Sequence, residues 1–347
     1  MDSLASLPCP CAPQEADEFL SEPTAGVVES MARIDGDYLV LGAGGKMGLH
    51  VCLMLHKALA AAGRTARVDA VSRFRSVHDV EEFTRAGIRT LACDLTNPSE
   101  LESLPHAENI IFMAGAKFGT AGQPALLRKM NIEMPEMVAT RFSQSRITAF
   151  STGCVYSFAP VDSRGASESS PTEPAGEYAQ SCLGREQAFR RSALELGTRL
   201  ALIRLNYSVE FRYGVLLDIA GKVLRGEPVD VTMGHVNLIW QRDAVAHTLM
   251  AHELASTASF ILNVTGPGVL KVRDLAGQFG KIFGRNPQFI GQEAETAWLN
   301  DASLSHRLFG EPETRIDQMI EWTAAWLQEG RATFHKPTGF EKRDGNF

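Results

Sequence analysis

Gly42, Gly45 and Gly48 stand between the apolar run YLVL and the stretch LHVCLMLHKALAAAG, which stops at Gly63 and leads to a second apolar run, VDAVS. A short strand, a glycine turn, a helix rich in Ala and Leu, a glycine stop and another strand make a βαβ unit. Positions without side chains let the backbone turn tightly and bring helix and strand close. They also open the peptide N–H groups at the helix N-terminus to a diphosphate. The spacing is GxxGxxG rather than GxGxxG, because Met47 stands where the last glycine of the latter would fall. We read Gly42, Gly45, Lys46, Met47 and Gly48 as a dinucleotide-binding turn. A tight strand-to-helix turn without a ligand is the plainer alternative.

The alternation continues. Strand-like runs recur at Thr90 to Ala92, Asn109 to Met113, Ile147 to Phe150 and Leu200 to Ile203, with helical character at Pro124 to Ser143 and Ala179 to Leu196. Such alternation predicts an α/β fold, a Rossmann-type doubly wound parallel sheet covered by helices on both faces. After Arg204 the pattern loosens into more turns and short helices, which predicts a smaller C-terminal substrate lobe. The expected division is 1–36 as an N-terminal extension, 37–205 as the nucleotide-binding core, 206–330 as the lobe with segments returning to the core, and 331–347 as a polar tail, either a surface strap or disordered.

Composition excludes several classes. Of the 347 residues, 44% are apolar and 22% charged, as in ordinary soluble proteins, and no apolar run approaches the ~20 residues of a membrane span. A formal charge of −7 gives no basic footprint for nucleic acid, so a small-molecule partner is expected. Cys9, Cys11, Cys52, Cys93, Cys154 and Cys182 are scattered without metal-ligand spacing, which suits a reducing, cytoplasmic setting. Cys9-Pro10-Cys11 has no second Cys/His pair nearby, so no metal is expected. The first residues lack the basic and apolar regions of a secretory signal.

The glycine spacing, followed in order by CDLTNPSEL, IIFMAGA, STGCVYS, EYAQSCLGREQAF, GEPVDV, RDAVAH, FILNVTG and DASLSHRLFG, resembles the extended short-chain dehydrogenases/reductases, the NAD-dependent epimerase/dehydratase branch. The resemblance runs from about Tyr38 to Gly330. It implies NAD or NADP as cofactor, with Asp94 and Leu95 bordering the adenine, Ala114, Gly115 and Ala116 along the cofactor, and Asn131 in the next helix. At the end of the second strand a carboxylate would hold the ribose of NAD, whereas a cation would pair with the extra phosphate of NADP. Ser72 takes that place and Arg73 follows, which favours NADP; Asp69 lies three residues too early.

The resemblance also implies a catalytic set. Thr152 falls where the family polarises the substrate oxygen, and Tyr178 where a phenol gives or takes its proton. Four residues on, the family carries a lysine whose charge lowers the Tyr pKa and whose amine holds the nicotinamide ribose. Here that residue is Cys182. Lys117 and Arg185 are the nearest cations that could compensate. Gly153 and Cys154 replace the acidic pair of the sugar-nucleotide 4,6-dehydratases, so dehydration by that route is not expected. Counting back from Asp243 and Asp301 to the family's diphosphate-binding arginines lands on Val236 and Gly291. Neither neutralises a phosphate.

Lys117, Tyr207, His235, Asn237 and Trp240, with Gln241 and Arg242 beside them, instead predict a pocket for a free sugar, a sugar acid or another polar carbonyl compound. The expected function is therefore an NAD(P)-dependent oxidoreductase or epimerase acting on a small hydroxy or keto compound. A non-catalytic NAD(P)-binding sensor or scaffold is the alternative from another class. A nucleotide-sugar epimerase is disfavoured by the missing arginines, and family analogy implies a homodimer.

Overall fold

The computed structural model describes residues 10, 12–75, 77–117 and 122–345. Seven strands form one sheet: β1 (Tyr38–Leu41), β2 (Val68–Ser72), β3 (Arg89–Ala92), β4 (Asn109–Phe112), β5 (Arg146–Thr152), β6 (Arg199–Leu205) and β7 (Phe260–Val264). Their order is β7-β6-β5-β4-β1-β2-β3, and every neighbouring pair is parallel. Parallel pairing places crossover helices on both faces, so central strands must be apolar on both sides. Each residue of β1 and β4 is buried, as that requires.

The helices are α1 (Pro13–Leu20), α2 (Ala25–Arg33), α3 (Gly48–Ala61), α4 (Val80–Arg85), α5 (Pro98–Ser103), α6 (Pro124–Arg128), α7 (Met134–Arg141), α8 (Gly176–Leu196), α9 (Val215–Arg225), α10 (Gln241–Glu253), α11 (Val272–Phe283), α12 (Ser303–Phe309) and α13 (Ile316–Gln328). A single π turn, Lys129–Glu133, joins α6 to α7. The helix α3 is buried almost all round because it packs against α2 and α10 as well as the sheet. Its apolar composition is thus that of a core helix.

The lobe has its own core. Phe211, Trp240, Trp298, Trp322 and Trp326 are packed among α9, α11 and α13. In α9 the buried residues Val215, Leu216, Ile219, Ala220 and Val223 form one stripe, and the helix stops at Gly226 in the left-handed region (φ 73°). Ala16 and Leu20 of α1 join this core, which fastens the N-terminal segment to the lobe. The tail does the same from the other end. Phe340 is 1% exposed, the backbone N–H of Thr338 donates to Asp218 Oδ2 (2.8 Å), and Arg343 Nη1 donates to the Thr296 carbonyl (2.6 Å). Over its described residues the tail is therefore a strap across the lobe.

The strand order reverses between β1 and β4. From β1 the chain moves outward through β2 and β3, then returns to β4 on the other side, so the loops leaving β1 and β4 diverge and open a crevice at the carboxyl edge. Leu41 pairs with Phe112 in register, and Thr152 with Leu205. The glycine turn, the loop after β4, the end of β5 and the entry to the lobe consequently meet at one place.

Among the described residues no helix is long and apolar enough to cross a membrane. Cys52, Cys93, Cys154 and Cys182 are free and buried. Cys9 and Cys11 lie outside the described residues. No group of His, Cys, Asp and Glu suited to a metal occurs among those described.

Candidate active site

The glycine turn is shaped by contacts that leave no room for side chains at two positions and little at a third, which faces the crevice. Gly42 has φ 92°, and a Cβ there would lie 2.6 Å from the Ala114 nitrogen at the end of β4. A side chain at Gly48 would collide with the Ala43 carbonyl. At Gly45 the nearest atom to a Cβ is the Gly42 carbonyl oxygen, 3.3 Å away, and the residue lines the crevice. The Gly48 N–H donates to the Gly45 carbonyl (3.1 Å), and the helix α3 that follows has no side-chain cap, so the next amides of its first turn can face an anion. An open cradle before an uncapped helix fits the diphosphate of a dinucleotide.

Ser72 closes β2 beside this turn. Its hydroxyl accepts from the Phe74 N–H (3.2 Å) and faces Gly44. Arg73 is half exposed and pairs with Asp94 at 3.7 Å. Asp94 Oδ1 accepts from the N–H and hydroxyl of Thr96, and Leu95 is buried. Asp69 is on the same strand but pairs in register with Leu39 and is bound by Arg89 (Nε–Oδ1 2.8 Å), far from the carboxyl edge.

A cavity of about 310 Å³ continues from the turn into the cleft below the lobe, and its walls include Lys46, Lys117, Thr152, Tyr178 and Tyr207. Thr152 ends β5; its hydroxyl accepts from the Cys154 N–H (3.2 Å). Tyr178 lies in the first turn of α8. Cys182, one turn on, is wholly buried against Val155, Tyr156 and Tyr178. Burial pushes the Tyr178 phenol well above its usual value, the neighbouring Cys182 adds to this, and the charge of Arg185 opposes it.

Two cations approach Tyr178. The Lys117 ammonium stands 5.6 Å from the centroid of its ring, with burial lowering the lysine's pKa and the thiols of Cys154 and Cys182 opposing that. Arg185 lies a further turn along α8. Its Nη1 donates to the Phe150 carbonyl (3.1 Å) and its Nη2 to Asn131 Oδ1 (2.6 Å). Gly115 is glycine because a side chain there would collide with this guanidinium.

Asn131 sits in the π turn and is completely enclosed. Its Oδ1 also accepts from the Ala116 N–H, and its Nδ2 donates to the Ala116 carbonyl, both at 2.9 Å. The residue expected along the cofactor therefore grips the loop 114–117 and sets where Lys117 begins. A π turn re-aims one side chain without ending the helix, and such turns recur at functional sites.

Of the residues expected to face substrate, the structure brings Lys117 and Tyr207 to the cavity and leaves three elsewhere. Trp240 is enclosed by Phe211 and Trp322, with ring centroids at 4.9 and 5.4 Å. Asn237 Nδ2 donates to the Gly268 carbonyl (2.7 Å), and its Oδ1 accepts from the Asn300 N–H (2.8 Å). His235 belongs to a short strand pair with Lys271. Gln241, next to Trp240, does line the cavity. Arg242 is buried and binds the Glu22 carbonyl and Glu313 instead. Tyr213 and Thr338 were not foreseen. Thr338 arrives on the strap from far along the chain, and no local motif marks it.

The model of the NAD dependent epimerase/dehydratase family matches residues 38–259. No curated protein sequence matches the chain. Among solved structures, the UDP-glucose 4-epimerase of Thermotoga maritima with UDP-glucose is 18% identical and superposes with a TM-score of 0.69, covering 85% of this chain and 99% of that one. DesIV, the dTDP-glucose 4,6-dehydratase of Streptomyces venezuelae with NAD and TYD bound, is 17% identical with a TM-score of 0.70, covering 84% and 97%. Pal from Bacillus thuringiensis is 15% identical with a TM-score of 0.70, covering 85% and 100%. At these identities the likeness is one of fold.

Proposed function

Because the chain belongs to the NAD dependent epimerase/dehydratase family, we propose that it is an NAD(P)-dependent oxidoreductase or epimerase acting on a small polar hydroxy or keto compound that carries no nucleotide. One observation carries this reading: the open glycine turn, Thr152, Tyr178 and Lys117 line a single cavity. Its volume of about 310 Å³ is at the low end for ligand pockets and must also take the nicotinamide, which favours a small substrate. Val236 is buried and Gly291 has no side chain, so neither offers the charge a second diphosphate would need.

Bound cofactor supplies the hydride acceptor or donor. Thr152 and Tyr178 hold the substrate oxygen, and Tyr178 takes or returns its proton. Arg185 provides the fixed positive charge that Cys182 does not, and Asn131 positions both Arg185 and the Lys117 loop. Arg73 favours NADP, since a half-exposed guanidinium in an ion pair at 3.7 Å can turn to a ribose phosphate. Leu126 on α6 and Leu194 on α8 are exposed, which supports a homodimer through these helices.

The buried thiol at 182 favours a second reading, a cofactor-binding sensor without turnover. Both readings require the nucleotide. Calorimetric titration with NAD and NADP of wild type and Gly45→Trp is expected to show binding only by wild type. Equal affinities would remove the basis of either reading.

A further inference from the structure

Gln241 opens α10 and lines the cavity. It is brought there by the short strand Ile239–Trp240, which pairs with Ser208–Val209 just past the left-handed Tyr207 (φ 42°). The nitrogen of its amide is engaged: Nε2 lies 2.6 Å from Nδ1 of His50, in the first turn of α3. His50 is fully enclosed, and its other nitrogen, Nε2, lies 2.9 Å from Asp17 Oδ1 on α1. Asp17 belongs to the N-terminal segment, outside the residues 38–259 that the family model matches. A chain of side chains thus runs from that segment to the wall of the cavity.

The distances decide where its protons stand. Burial alone would raise the Asp17 carboxyl, but His50 and Arg212 hold it at about 2, so it is ionised. Arg212 Nη2 donates to the same Oδ1 (2.7 Å), and Arg212 is itself fixed by Glu210 (3.2 Å) and by the Phe334 ring of the tail, whose centroid is 4.8 Å away. An ionised carboxylate only accepts, so the imidazole nitrogen facing it at 2.9 Å carries a proton. The approach of Arg212 Nη2 to that nitrogen, at 3.4 Å, is the weaker contact. Burial pushes His50 down to about 4, with Asp17 opposing, so the ring is neutral and Nδ1 accepts. Gln241 then donates to it through Nε2, which turns Oε1 towards the cavity. The opposite amide orientation would set two acceptors 2.6 Å apart. Among the described residues no carboxylate lines the cavity, so an amide oxygen there is an uncharged acceptor suited to a neutral O–H.

Resting on the function proposed above, we infer that Gln241 sets substrate specificity: its Oε1 receives a second hydroxyl of the substrate, beside the oxygen that Thr152 and Tyr178 serve. Asp17 and His50 are positioning residues that hold the amide in that orientation. In a cavity of about 310 Å³ shared with the nicotinamide, the two oxygens lie close together on a short molecule. The substrate class is a short polyol with neighbouring hydroxyls, or the matching hydroxy ketone.

The test uses the full-length protein. In nitrogen NMR of isotope-labelled histidine, with the His50 signals identified by their loss in His50→Gln, wild type should show His50 protonated at Nε2 and bare at Nδ1 at neutral pH. In Asp17→Asn the introduced amide can donate, so the proton should move to Nδ1 and Gln241 should turn over. Each form, loaded with NAD or NADP, is then assayed for reduced nicotinamide with short vicinal diols and with their mono-O-methyl ethers, which replace one donor by an acceptor. Wild type should turn over the diols with kcat/KM about tenfold or more above that for the ethers, as for loss of one buried hydrogen bond. Gln241→Met and Asp17→Asn should each remove most of that preference by raising KM for the diols, with cofactor affinity unchanged, and Asp17→Glu should keep part of it. A merely structural role would lower activity on both substrates alike. His50 protonated at Nδ1 in wild type, or a diol preference unchanged in Gln241→Met, would overturn the inference and leave the oxidoreductase standing. Absence of turnover by cofactor-loaded wild type on diols and ethers alike would remove the proposed function, and this specificity with it.

Discussion

Arg185 Nη2 donates to Asn131 Oδ1 at 2.6 Å, across the gap between α8 and the π turn that joins α6 to α7. This bond holds a guanidinium close to Tyr178 from a position seven residues beyond it. A positive charge thereby stands near the phenol, with the neutral thiol of Cys182 one turn beyond it.

The charge has a measurable consequence. In the proposed function, oxidation requires the Tyr178 phenol to give up its proton before it can act as a base, and burial holds that phenol well above its usual range. Oxidation rates should therefore climb from neutral into alkaline pH, whereas reduction, which uses the protonated phenol, should stay level across the same range. Cys182→Lys should move the oxidation profile to lower pH, and Arg185→Met should move it higher. Identical profiles for wild type and both variants would show that neither site acts on Tyr178.

In the role proposed for it, Asn131 positions its neighbours, and its loss should look different. Asn131→Ala frees the Ala116 backbone and the Lys117 loop, so kcat is expected to fall by about tenfold to a hundredfold with a smaller change in cofactor affinity. Asn131→Asp, which keeps the two acceptor contacts, should recover part of the loss. Steady-state kinetics beside cofactor titration separates the two effects, and a loss confined to cofactor binding would contradict this role.

The role proposed for Arg73 is testable through cofactor choice. Wild type should bind NADP more tightly than NAD, and Arg73→Ala should weaken NADP by about tenfold or more while leaving NAD unchanged. Tighter binding of NAD by wild type would place the preference elsewhere.

Acid should destabilise the fold through its enclosed histidines. Burial pushes His247 down to about 4, with His306 adding to the effect. Burial likewise pushes down His252, which pairs with Thr148 and Asn109, to about 3, with Arg146 and Arg199 adding. In the unfolded chain such groups take up protons near pH 6.5, before the native ones do. Stability is therefore full above that pH and falls as the pH drops from about 6.5 to about 4 for His247 and about 3 for His252, each histidine contributing on the order of 3–5 kcal/mol. Calorimetric melting across this range should show the decline, and His247→Gln should lessen it. A melting temperature independent of pH would refute the account.

Legibility in the sequence followed the range of the interactions. The unit from β1 to β2 was plain because apolar periodicity and glycine punctuation are local, and Gly42 and Gly48 are fixed by neighbours a strand or a turn away. The last residues of β5, Ser151 and Thr152, were not read as strand because they are polar, yet they pair with β6 up to Leu205. Trp240 is among the residues expected to line the substrate pocket, but an indole contributes more by filling the lobe core, and the cavity receives its neighbour Gln241 instead. Nothing in the sequence marks the π turn around Asn131, the left-handed Tyr207, or the strap that carries Thr338 to the cavity. Each depends on packing between segments distant in the chain.

The central claim is that Tyr178 performs proton transfer for a nicotinamide-dependent reaction in this cavity. Its most direct measure is the rate of reduced nicotinamide formation at neutral and alkaline pH, for wild type and Tyr178→Phe, with short-chain hydroxy acids, sugars and polyols as substrates. The expected result is turnover by wild type that rises with pH, and a loss of about a hundredfold or more in Tyr178→Phe with cofactor still bound. Turnover that survives Tyr178→Phe, or its complete absence from cofactor-bound wild type across the whole panel, would contradict it.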